Sequence, residues 1–194
     1  MGEKYIVIAG PSGSGKSSLA SYIQNNYEAI EPICFTTRKK RDIESDNYEF
    51  VSNDIFNKLY QKNFFFFCTG KNDKYGFSCP SLYNGEILII LTSYKNAIRF
   101  YEQNNDSLII TLYFDNIEQS LQNRIAFRTS ASELQTRLQH DIDDYKKNFE
   151  TIKRISSVLL CSDKIELVDM QTAIDKVIGE KYCLDVNRKI RRKK

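Results

Sequence analysis

No stretch of this chain approaches the ~20 consecutive apolar residues that a membrane-spanning helix needs. The N-terminus runs straight into a charged, strand-like segment rather than a basic region followed by an apolar one. The expectation is a soluble, unprocessed, cytoplasmic protein with no membrane partner. Cysteine is sparse and unpaired in spacing: Cys34, Cys68, Cys79, Cys161 and Cys183 are odd in number, scattered, and form no C-x-x-C pair. Neither a disulfide framework nor a zinc site is indicated, and free thiols in a reducing compartment fit best. Histidine occurs once, as His140 in the polar stretch that runs on through DIDDYKK, where a surface role is preferred over catalysis. Repeats and low-complexity linkers are absent. With 194 residues and 41% hydrophobic content the chain is long enough for one compact α/β domain and short for two.

Net charge is +3, yet residues 187–194 alone hold Arg188, Lys189, Arg191, Arg192, Lys193 and Lys194. Setting those six charges aside leaves the body at −3, so the basic balance belongs to the tail. A basic run without interleaved aromatics is read as a solvated terminus in preference to a nucleic-acid contact.

What is present is a pattern of alternation. Tyr5 to Ala9 is a short apolar, β-branched run, followed by a glycine-rich loop and a helical stretch from Ser18 to Tyr27. Phe64–Cys68, Glu86–Leu91 and Ser107–Phe114 read as strands, the last two apolar enough for a parallel sheet. Helices are expected from Ser52 or Asn53 to about Lys62, from Ser93 to about Gln103, and from Asp115 or Asn116 through Arg128. Two more are expected over about 132–154 and 171–182. Strands alternating with helices behind a glycine loop predict an α/β fold, a P-loop doubly wound parallel sheet.

The loop itself, Gly10-Pro11-Ser12-Gly13-Ser14-Gly15-Lys16-Ser17, satisfies G-x-x-x-x-G-K-[ST] and stands between a predicted strand and a predicted helix. Its glycines let backbone N–H groups converge on phosphate oxygens where a Cβ would block the approach. Lys16 would reach the β and γ phosphates of ATP, Ser17 would ligate Mg²⁺, and the following helix, with Ser18 in its first turn, adds its partial positive charge. Phosphoryl transfer also calls for cations around two anionic substrates. Arginines occur in two clusters: Arg38 and Arg41 in TTRKKRD, and Arg124, Arg128 and Arg137 in NRIAFRTSASELQTR.

At these residues the chain resembles guanylate kinase. GPSGSGKSSL is similar to that family's N-terminal signature, Thr36-Thr37-Arg38 with Arg41 and Glu44 to its T-T-R-x-x-R…E segment, Asn47 to Ser52 to its D-Y-x-F-V-S, and Lys74-Tyr75-Gly76 to its Y-Y-G. The likeness runs in consistent order from about Ile6 to Arg137. It implies an acceptor-binding subdomain near residues 33–83 and an ATP lid near 122–138. By the same resemblance Arg38, Arg41, Tyr48 and Tyr75 hold the acceptor phosphate, with Cys34 (where serine is usual) and Thr92 also at acceptor-binding positions. Lys16, Arg38, Arg124, Arg128 and Arg137 are implied around the transferring group. The partners implied are ATP and a small phosphorylated acceptor, GMP or dGMP first, on a monomer or homodimer.

The departures are specific. The acidic residue expected shortly before the Y-Y-G segment falls in Phe64-Phe65-Phe66-Phe67-Cys68, and the strand end I-L-D-I-D is replaced within Leu88 to Ser93. Thr129 stands where a glycine follows the second lid arginine. A pocket without those carboxylates keeps other acceptors open, a modified nucleotide or ribose 1,5-bisphosphate, as does a non-catalytic binding module. The four phenylalanines are read as a strand buried on both faces in preference to an aromatic wall for a base. Residues 157–161 and 167–169 are weaker candidates for an adenine pocket.

Overall fold

The computed structural model describes residues 4–40, 47–70, 73–78, 87–125 and 131–184. Arg41, Glu44, Cys79, Arg128, Thr129 and the basic tail 187–194 lie outside the described residues. Along the chain run β1 (Lys4–Ala9), α1 (Lys16–Asn26), β2 (Ala29–Ile30), β3 (Cys34–Thr36), β4 (Tyr48–Phe50), α2 (Asn53–Gln61), β5 (Phe65–Thr69) and β6 (Tyr75–Ser78). These are followed by β7 (Ile87–Thr92), α3 (Tyr94–Gln103), β8 (Leu108–Tyr113), α4 (Ile117–Ile125), α5 (Ala131–Ile155), β9 (Val158–Cys161) and α6 (Leu167–Tyr182). The chain divides into two compact units, Glu31–Gly85 and the remainder.

The larger unit is built on a parallel five-stranded sheet in the order β2-β7-β1-β8-β9. Its central strands are continuous apolar runs because both faces are covered: Ile6, Val7, Ile8 and Ala9 are fully buried, as is most of β7 and β8. Alternation sends Ile6 and Ile8 into a core with Leu19 and Ile23 of α1 and Ile174 and Ile178 of α6. Tyr5, on the opposite face, meets Phe100 of α3 edge-on at 5.1 Å. At its far end α1 is fastened to α6, where Asp175 accepts from the hydroxyls of Tyr22 (2.6 Å) and Tyr27 (2.8 Å). Ala9 is in register with both Thr92 and Thr111, so β1, β7 and β8 finish side by side. That edge, the carboxyl ends of parallel strands, is where open α/β sheets place ligands.

The smaller unit carries a mixed sheet, β4-β3-β6-β5, in which β3 and β4 are parallel and the other pairs antiparallel. Here the reading of the phenylalanine run needs correction. β5 is no doubly buried parallel strand: it pairs antiparallel with β6 through an irregularity between Phe65 and Phe67, and of its phenylalanines only Phe67 is buried. Phe64 and Phe65 instead cluster with Phe35, and Phe65 stacks on Phe56 of α2 at 4.9 Å. Gly76 has to be glycine in this packing, since a Cβ there would lie 2.7 Å from the Phe65 ring. The run thus contributes to an aromatic cluster shared with Phe35 and Phe56.

Candidate active site

Between β1 and α1 the chain turns through residues 10–15, with Gly13 (φ 73°) and Gly15 (φ 97°) in the left-handed region. Gly15 caps α1 without any side-chain hydrogen bond, no acidic residue stands in the helix's first turn, and a Cβ at Gly15 would project into open space. This is a cradle of the kind an anion fills at a helix N-terminus. Ser17 and Ser18 are exposed in the first turn, Ser14 is buried, and the Lys16 ammonium is folded onto the carbonyls of Gly10 (2.9 Å) and Pro11 (2.8 Å). Thr92 lies beside this loop at the end of β7, its carbonyl accepting from the Gly10 amide. It therefore belongs to the larger unit, apart from the other acceptor positions, which fall within residues 31–85.

Three elements brace the loop. Arg124 of α4 donates to the carbonyls of Gly13 (3.2 Å) and Ser162 (2.8 Å) and pairs with Asp163. Ser162, just after β9, donates its hydroxyl to the Ser14 carbonyl at 2.8 Å. From α5 the Asp141 carboxylate accepts the Ser12 amide, also at 2.8 Å. Burial draws the Lys16 pKa down to about 8, against the raising influence of Asp141 and Asp144 and with a further lowering from Arg137, which places Arg137 within electrostatic reach of the loop lysine. Burial pushes Asp141 up, but His140, the Ser12 amide and the Lys16 charge together outweigh it and hold the carboxyl below its usual range. Beside the loop a cleft of about 180 Å³ is lined by Gly15, Ser18, Arg124, Ile165, Leu167 and Met170. Of the adenine-pocket candidates, Leu167 lines this cleft, while 158–161 form β9 and Val168 is exposed.

In the smaller unit the register sets Cys34 opposite Tyr48 and Thr36 opposite both Phe50 and Tyr75, so these side chains share one face. Arg38, two residues beyond β3, lies over the rings of Tyr48 (4.9 Å) and Phe50 (5.0 Å), is 8% exposed, and donates to the Lys39 carbonyl. Stacking of this kind holds a guanidinium flat with its edge donors in a fixed fork. Burial raises the Cys34 thiol to about 12, so it serves as a small neutral wall rather than a nucleophile.

The guanylate kinase family model matches residues 2–176. The chain belongs to the guanylate kinase family. Among curated relatives it is 26% identical to the guanylate kinase of Clostridium acetobutylicum over 92% of this chain and 86% of that one. It is 29% identical to the Wolinella succinogenes guanylate kinase over 89% of this chain and 86% of the relative. The crystal structure of guanylate kinase from Anaplasma phagocytophilum superposes with a TM-score of 0.66 at 14% identity, covering 95% of this chain and 88% of that one, a likeness of fold. As a member of this family the chain is an ATP-dependent nucleoside monophosphate kinase.

Within this guanylate kinase family member the sequence reading missed Asp141, Asp144 and Ser162. Asp144 accepts the amides of Tyr94 (2.8 Å) and Lys95 (3.1 Å) and so caps α3 in place of Ser93, whose own side chain makes no cap bond. The i, i+3 spacing of Asp141 and Asp144 puts both on one face of α5, but in the sequence nothing sets them apart from the helix's other acids beside its apolar stripe of Leu138, Ile142, Tyr145 and Ile152.

Proposed function

We propose that the chain moves the γ-phosphoryl group of Mg-ATP to a nucleoside monophosphate, with GMP or dGMP the best single acceptor. In this reading residues 10–18 and the cleft beside them hold the nucleotide donor, and the Ser17 hydroxyl, exposed in the first turn of α1, would ligate the Mg²⁺ that travels with it. The ion supplies charge neutralisation on the phosphates; the chain's own residues position and exclude. Lys16, with Arg124, Arg128 and Arg137, supplies positive charge around the transferring group, so no covalent intermediate on the protein is required. Residues near 122–138 are assigned as the lid and residues near 33–83 as the acceptor-binding subdomain, where Arg38, Arg41, Tyr48 and Tyr75 bind the acceptor phosphate. Cys34 and Thr92 complete the acceptor set.

The observation that carries the acceptor reading is the Arg38 guanidinium spread over the rings of Tyr48 and Phe50, in a family whose curated relatives are guanylate kinases. Its test is an ADP-release assay with Mg-ATP against GMP, dGMP, AMP, UMP, CMP, dTMP and ribose 1,5-bisphosphate at equal concentration. Turnover confined to GMP and dGMP is expected; turnover of another acceptor alone would sink the guanine assignment while keeping the kinase.

One observation favours a second reading, a modified nucleotide or other phosphorylated acceptor. On the Arg38 face of the sheet the strand side chains are Cys34, Thr36, Tyr48, Phe50, Tyr75, Phe77, Phe67 and Thr69, none of them a carboxylate. A base read there meets neutral hydroxyls and rings, which discriminate less than an ionised acceptor would against guanine's N–H edge.

A further inference from the structure

We infer that Asp141 is a positioning residue for phosphoryl transfer: by holding the Ser12 amide from α5 it fixes the rim of the phosphate loop and sets a counter-charge for the Lys16 ammonium. The inference rests on the assignment of Lys16 to the ATP phosphates. The strand that ends against the loop supplies no acid, because β7 runs out through the neutral side chains of Thr92, Ser93 and Tyr94. Negative charge therefore reaches the loop from a helix. Three aspartates stand near it, and two are engaged elsewhere. Asp144 is committed to the α3 amides and to Asn148. Asp163 takes Arg124, the Ser120 hydroxyl and the Asp115 amide. Asp141 alone of the three bonds the loop, joining positions 129 residues apart with a side chain only 14% exposed.

The consequence for Lys16 is direct. An ammonium has three donors; two are turned onto the Gly10 and Pro11 carbonyls, leaving one for a phosphate oxygen. Among the charges that act on the Lys16 ammonium, Asp141 is the strongest of opposite sign. The charged groups around Lys16 are Asp141, Asp144 and Arg137 from α5, with Arg124 of α4 on the neighbouring Gly13 carbonyl. His140 and Asp143 adjoin Asp141 on its own helix, His140 with its ring nitrogen 3.6 Å from the carboxylate.

Two substitutions separate the hydrogen bond from the charge. Asp141→Asn keeps an oxygen that can accept from Ser12 and removes the charge; Asp141→Ala removes both. For Asp141→Asn we expect kcat to fall about tenfold with the ATP KM within about threefold. Asp141→Ala should in addition raise the ATP KM about tenfold. Unchanged kcat would overturn the inference, and so would tighter ATP binding, the mark of a carboxylate that competes with phosphate. Lys16→Ala is the control: if it still turns over, the phosphate-loop assignment itself has failed, whereas an inactive Lys16→Ala beside an unaffected Asp141→Asn defeats the role of Asp141 only. A readout independent of turnover is the Ser12 amide signal in ¹⁵N–¹H spectra, which should move strongly in Asp141→Ala and little in Asp141→Asn; an unmoved signal in Asp141→Ala refutes the bond.

Discussion

Because burial draws the Lys16 pKa to about 8, the folded chain binds that proton less tightly than the unfolded chain, where lysine titrates near 10.5. Below pH 8 the charged lysine weakens the fold, and the penalty is relieved as pH rises through the window from about 8 to 10.5. The unfolding free energy of Lys16→Met minus that of wild type should therefore fall steadily across that window, whatever its value at pH 7; a difference independent of pH would show that Lys16 is not desolvated. Arg38 gives a kinetic counterpart. Arg38→Ala should raise the acceptor KM about a hundredfold and leave the ATP KM within about threefold, with Arg38→Lys recovering little, since an ammonium neither stacks flat nor forks. Steady-state kinetics varying each substrate in turn checks both, and a selective loss of ATP affinity would contradict the assignment. At this scale the sequence exposed what spacing encodes. Lys16 and Ser17 are named by the motif and Arg38 by the resemblance of Thr36-Thr37-Arg38 to the family's T-T-R segment, and the roles proposed for them rest on that. Asp141 could not be read, because its partner is 129 residues away and nothing local distinguishes it from the solvated acids around it.

Elements were legible where a clear apolar pattern repeats. The helices from Asn53, Tyr94 and Ala131 lie within a residue or so of expectation, since each repeats its pattern over several turns. Strands β3, β4 and β6, three or four residues each, escaped because so few positions cannot establish a period of two. α1 begins at Lys16 rather than Ser18, and α6 at Leu167 rather than Gln171, where exposed Leu167 and Val168 mask the helical pattern. Helix α3 shows how a cap can be borrowed: the Ser93 side chain stands by while Asp144 takes two of the orphan amides. Asp144→Ala should cost about 1–2 kcal/mol in urea denaturation, and Ser93→Ala under about 0.5 kcal/mol. The reverse ranking would restore the local cap. Gly76→Ala, which drives a methyl group into the Phe65 ring, should destabilise by about 1–3 kcal/mol. A smaller side chain at the second site, as in Gly76→Ala with Phe65→Leu, should recover part of that loss, as two residues sharing one space do.

At the scale of the molecule, the sheets of the two units are packed by two different means. One is an aliphatic sheet of isoleucine, leucine and valine under helices, the other an aromatic cluster on short strands. Their independence is measurable by hydrogen exchange in Gly76→Ala: protection should fall at amides within 31–85 while β1, β7 and β8 keep theirs. Uniform loss across both sheets would mean that the units unfold as one. The doubly wound sheet itself was foreseeable from strand and helix alternation, and the phenylalanine run was misread because a short apolar stretch looks alike in a parallel sheet and in a small aromatic core.

The chain contains no tryptophan, and its Arg38 guanidinium rests 5.0 Å from the centre of the Phe50 ring. Phe50→Trp would therefore install a lone indole fluorophore against the very cation assigned to the acceptor phosphate. Any phosphate that draws Arg38 away should change its emission, so a library of nucleotides and sugar phosphates could be screened by light alone, without a coupling enzyme and without turnover.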